Sequence, residues 1–134
     1  MPNWKKVALS GSNVSFNQVS SSAAFSLSSG SINSTLNFQS NIDVDTGTEV
    51  IAQIPGARKA GFFDYVAQSG SNYRAGQITI VTDGSITQLA EYSTQDIGNT
   101  STIKFSSSYA NSTISLIAAC STNDWDVRTI VRAI

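Results

Sequence analysis

The sequence predicts an all-β protein, an antiparallel β-sandwich of jelly-roll-like type preceded by an N-terminal arm. Three observations carry this prediction. Apolar residues recur at alternate positions in short runs, the period of a strand with one buried face. Turn-forming pairs rich in Gly, Asn and Asp separate the runs at intervals of roughly ten residues, the spacing of sandwiches and barrels. No stretch carries the helical periodicity of a long amphipathic helix. The chain has 134 residues. That length suits one domain, with a core large enough to need no disulfide staples.

Residues 1–22 stand apart from the rest. MPNWKKVAL is apolar in character, and GSNVSFNQVSSS then turns polar and serine-rich. Two readings stay open. The segment is either an arm that docks on a partner through Trp4, Val7 and Leu9, or a first strand of the same domain. Residues 23–134 form the head domain. Its expected strands are 23–27, 32–44, 48–54, 60–68, 73–82, 86–91, 102–109, 113–120 and 125–133. Turn chemistry bounds them at Gly30, Gly47, Pro55-Gly56, Gly70-Ser71, Asp83-Gly84, Gly98-Asn99, Asn111 and Asn123-Asp124, where Gly and Asn tolerate positive φ.

The two faces of these strands differ in what they reveal. In 125–134 one row, Trp125, Val127, Thr129, Val131 and Ala133, reads as core. The other mixes Asp126, Arg128 and Arg132 with Ile130 and Ile134. In 60–67 both rows carry aromatics: Phe62 with Val66 on one, Phe63 with Tyr65 on the other. A sandwich strand needs one apolar face. Two such faces imply that the second is also covered, and a neighbouring subunit is the expected cover. The expected interface residues are Phe63, Tyr65, Ile130 and Ile134.

Composition excludes several functions. Charged residues are 13% of the chain and the net charge is −1. A basic footprint for nucleic acid or anionic lipid is therefore missing. No apolar run approaches the length of a membrane helix, and no apolar h-region follows Lys5 and Lys6, so no membrane insertion or secretory signal is expected. Synthesis in a cytoplasm is the expectation. With no histidine in the chain, a Ser-His-Asp triad cannot be built. Cys120, in ISLIAAC, reads as a small buried hydrophobe rather than a nucleophile. Asp43, Asp45 and Glu49 are spaced unlike a calcium loop and read as a polar turn. No catalytic, cofactor-binding or metal residue is expected.

RKAGFFDYVAQSGSNYRAGQITIVTDG (58–84), YSTQDIGNTSTIKF and ISLIAACSTNDWDVRTIVRAI together resemble the C-terminal β-sandwich module of tailed-phage, cyanophage-like virion structural and tail fibre proteins. The shared features are the FFDYV strand, the NYRAG turn and strand, the IGNTS loop and the VRAI ending, over roughly residues 48–134. MPNWKKVALSGS is similar to the attachment arms that open such proteins. The resemblance implies a non-enzymatic, homotrimeric virion component, a short tail fibre or appendage, contacting other virion proteins of tail, baseplate or capsid. The alternatives are a capsid decoration or head-fibre protein, and an adhesin that binds a host-surface glycan through Tyr65, Tyr73, Tyr92 and Tyr109.

Overall fold

The structure, a computed structural model, describes residues 31–32 and 36–134, with side chains from residue 36 onward. Described strands are β1 (Ser31–Ile32), β2 (Leu36–Val44), β3 (Gly47–Ile54), β4 (Ala60–Ser69), β5 (Asn72–Thr82), β6 (Thr87–Ser93), β7 (Ile103–Ala110), β8 (Thr113–Cys120) and β9 (Trp125–Ala133). They form two antiparallel sheets. The larger has the order β1-β2-β9-β4-β5-β6, the smaller β3-β8-β7. The protein is an antiparallel β-sandwich. The chain passes from one sheet to the other between β2 and β3, β3 and β4, β6 and β7, and β8 and β9. These crossings give the jelly-roll character, whereas β4-β5-β6 is a plain meander within the larger sheet.

Local chemistry explains most boundaries. Ser69 pairs with Asn72, which leaves a two-residue turn with Gly70 at φ 59°. Ala110 pairs with Thr113 around Asn111 and Ser112, both at positive φ, the hairpin geometry whose twist matches the flanking strands. After β5, Asp83 Oδ1 accepts hydrogen bonds from the amides of Ser85 (2.8 Å) and Ile86 (3.0 Å), which closes the turn before β6. The step from β2 to β3 turns a corner between sheets. A bulge between Asn41 and Val44 bends β2 there, and a second lies between Val50 and Ala52 in β3.

The expected strands match within a residue or two from 48 onward. The run 32–44 is a correction. Ser31 and Ile32 pair back antiparallel on Asn37 and Leu36, so the run is divided between two strands rather than forming one. The expected strand 23–27, and the arm 1–22 with Trp4, Val7 and Leu9, lie outside the described residues.

The core sits between the sheets. Trp125, Val127, Thr129, Val131 and Ala133 are all buried, as their row in β9 predicts. The Trp125 indole donates to Thr122 Oγ1 at 3.1 Å, so its polar end is satisfied. Opposite them, Ile114, Leu116, Ala118 and Cys120 line the inner face of β8. Burial raises the Cys120 thiol pKa, with Glu49 adding to the shift, in keeping with a core residue.

Register settles the parity of β4. Phe63 pairs with Val131, Tyr65 with Thr129 and Ala67 with Val127, so these residues share the inward row of β9. Phe63 and Tyr65 are buried core residues and do not belong to an exposed interface, contrary to the expectation. The outward aromatic of this strand is Phe62. Ile130 and Ile134 do face outward.

Candidate functional site: the outer face of the larger sheet

The outer face of the larger sheet is built by the register. One row crosses it as Phe38, Ile130, Asp64, Gln77 and Tyr92, contributed by β2, β9, β4, β5 and β6 in turn. The next rows add Arg132 beside Phe62, and Arg128 beside Val66 and Ala75. Phe38 is 61% exposed, Ile130 40% and Tyr92 73%. Val66, Tyr73 and Val81 are exposed on the same face. Across β2, β9, β4 and β5, the residues Phe38, Val66, Ala75 and Ile130, with Asp64 and Arg128, line an open groove of about 440 Å³.

The charges on this face are few and matched. Arg128 forms an ion pair with Asp126 at 2.7 Å, which raises the Arg128 pKa. Arg132 lies 3.5 Å from Asp64 and 5.4 Å above the Phe62 ring. Gln77 donates to Asp64 at 2.7 Å.

The outer face of the smaller sheet has a different chemistry. β7 presents Lys104, Ser106 and Ser108 there, and β8 presents Thr113, with Ser115 on the same row buried and accepting a hydrogen bond from Gln53. Val50 and Ile117 supply its larger apolar groups.

The two open sides of the sandwich are closed by polar bonds. On one side Gln39 acts as a substitute strand for the edge of β3: its Nε2 donates to Gln53 O and its Oε1 accepts from Gln53 N, both at 2.8 Å. Asn41 donates to Glu49 Oε2 at 2.9 Å. On the other side Glu91 accepts a short hydrogen bond from the Tyr65 hydroxyl and lies 3.4 Å from Arg74 Nε. Arg74 also donates to Ile103 O at 3.2 Å and lies over the Phe105 ring. Burial, then Glu91, raises the Tyr65 pKa. Sequence reading missed this cluster, although inward-row Arg74 and Glu91 on neighbouring strands are its trace in the sequence.

The tyrosines proposed for glycan stacking do not gather. Tyr65 is in the core and Tyr109 packs against it. Tyr73 and Tyr92 are exposed on the larger sheet, but Tyr92 pairs with Gln77, four residues along β5 from Tyr73. That spacing separates them by roughly 13 Å. Among the described residues, Asp43, Asp45 and Asp124 bring carboxylate oxygens within 4.8 Å of one another at the corner where β2 ends. All three are exposed.

No protein-family model matches the chain. No curated protein sequence matches it either. Among solved structures, the chain is similar to the tailspike protein of Acinetobacter phage vB_ApiP_P1, with a TM-score of 0.50 and 18% sequence identity. The likeness covers 92% of this chain and 26% of the tailspike, so this chain spans about a quarter of that protein's length. At that identity the shared property is the β-sandwich fold.

Proposed function

We propose that this protein is a structural component of a tailed-phage virion, a short tail fibre or appendage module that works as a homotrimer and has no enzymatic role of its own. The observation that carries the proposal is a β-sandwich that shares its fold with part of a phage tailspike and turns several exposed apolar side chains outward on one face. The motif resemblance at 48–134 points the same way. A soluble module working alone keeps such a face small. A module present in several copies on one particle covers it and gains avidity, so that weak individual contacts add to firm attachment. Residues 1–22 would anchor the module to its partner on the particle through Trp4, Val7 and Leu9. The low charge of the chain suits close packing of copies.

The test is location. Mass spectrometry of purified virions, with antibody labelling seen by electron microscopy, should find the protein on the tail. Its absence from particles sinks the proposal, and labelling over the capsid lattice moves it to a decoration role. Deleting residues 1–22 should leave a folded sandwich that no longer joins particles.

A further inference from the structure

β2 has one edge in full use and one in partial use. β9 pairs with it from Leu36 to Val44. On the other edge β1 reaches only Leu36 and Asn37. Among the described residues, no strand lies beside the rest of that edge. Native proteins blunt an open edge with proline, lysine or an inward charge. Phe38, Gln39, Ser40 and Asn41 supply none of these. Their outward backbone groups are open to a further strand. The same stretch carries the seam to the smaller sheet, where Gln39 bonds Gln53 and Asn41 bonds Glu49.

We propose that residues 27–30 of the same chain continue β1 along β2 and take this edge. The register dictates the pairs. Ser31 lies opposite Asn37 and Ile32 opposite Leu36, so each step back along β1 is a step forward along β2. Gly30 then falls opposite Phe38, Ser29 opposite Gln39, Ser28 opposite Ser40 and Leu27 opposite Asn41. The alignment ends there, because the bulge between Asn41 and Val44 breaks the regular ladder. Three features select this segment as the occupant. Only residues 33–35 separate β1 from β2, so pairing within the chain closes no further loop. Residues 23–32, AAFSLSSGSI, hold neither charge nor proline. Gly30 opposite Phe38 lets the exposed ring lie over a strand that has no side chain at that point. The chain upstream then leaves the sandwich beside Asn41, at the end that holds Gly70, Asn123 and Asp124. On the anchor reading of residues 1–22, on which this one step rests, that end faces the particle. The end with Gly56, Asp83 and Asn111 faces away.

Disulfide trapping in the full chain tests the alignment. Ser28→Cys with Ser40→Cys puts two thiols opposite each other on the outer row, within reach of a cross-strand bond. Oxidised glutathione accepts the two electrons. The pair should link within one chain at least about tenfold faster than Ser26→Cys with Ser40→Cys, which is two residues out of register. Peptide mass spectrometry identifies the link and separates it from any bond to the buried Cys120. Equal rates, or faster linking of the out-of-register pair, overturn the proposal. A link formed only between chains also overturns it, because the edge then takes a strand from another copy. Amide hydrogen exchange of the unsubstituted chain gives a second decision. The amides of Phe38–Asn41 that point away from β9 should be protected at least about tenfold over unstructured chain. Free exchange there overturns the proposal. Protection should survive deletion of residues 1–22, and its loss would assign the edge to that segment instead. These outcomes are independent of virion labelling. Failed trapping leaves the virion reading standing, and a trapped protein absent from particles loses only its orientation.

Discussion

The two outer faces of this sandwich come from the same chain and the same strand geometry, yet their chemistry is opposed. The larger sheet turns outward Phe38, Phe62, Val66, Val81, Tyr92 and Ile130 among paired Asp and Arg side chains, and the smaller turns outward mainly Ser, Thr, Ala and one lysine, with Val50 and Ile117 its larger apolar groups. An exposed serine loses little when it stays hydrated. An exposed aromatic gains about 25 cal/mol for each Å² of apolar surface removed from water. The difference teaches that alternation within a strand reports only that one side is core. The chemistry of the other side, compared between sheets, reports what the molecule does with its surface.

The sharpest way to break this comparison is to test which phenylalanine is inside. Phe63→Ala should cost about 3–5 kcal/mol in urea unfolding, because it empties a fully buried site. Phe62→Ala should cost under about 1 kcal/mol, since a side chain outside the core leaves no cavity. Equal losses would mean that the faces have been assigned wrongly. Next in size is Tyr65→Phe, which removes the hydroxyl that donates to Glu91 and leaves a partly buried carboxylate short of a donor. A loss of about 1–3 kcal/mol is expected, with little change in the urea m-value. Retained stability would show that Arg74 alone satisfies Glu91.

Gln39→Ala should cost about 1 kcal/mol and uncover the edge of β3 at Gln53. The companion measurement is amide hydrogen exchange, which should quicken at Gln53 and stay unchanged at the centre of β9. The smallest effect belongs to pH. Glu49 is held below its ordinary pKa first by the Asp45 amide and then by Asn41, and Asp83 below its own by the Ile86 and Ser85 amides. A depressed carboxylate pKa contributes stability that is present above the unfolded-state value and is lost as pH falls through the folded value. Thermal unfolding should therefore be flat near neutrality and decline below the ordinary carboxylate range. Asp83 is exposed and Glu49 half-exposed, so the decline should be shallow and further weakened by salt. Glu49→Gln should flatten it.

Much of the fold is legible in the chain alone. Gly70, Asp83-Gly84 and Asn111 mark turns because few other residues tolerate their backbone angles or supply their side-chain acceptors, and all three mark them here. The Trp125–Ala133 row announced its inward face because its partner row carries three charges. The strand 60–67 could not do the same. Phe62 and Phe63 are chemically identical, so nothing local distinguishes inside from outside. The run 32–44 looked continuous because its alternation survives a change of direction. Gln39 and Asn41 looked like solvated polar residues, and their role as a substitute strand depends on β3 arriving beside them.

By itself, then, the sequence determined the all-β class, the strand boundaries from 48 onward and the absence of a histidine-based active site. These follow from period, turn chemistry and composition, which are local or global properties of a string. Tertiary structure decided which row of β4 is buried, the sealing of both open sides by amides and by the Arg74–Glu91–Tyr65 cluster, and the row that joins Phe38 to Tyr92. Phe38 and Tyr92 lie on one face only because β9, the last strand, inserts between β2 and β4 and fixes the parity of both. A pairing made across so much intervening chain leaves no periodic signal near either residue.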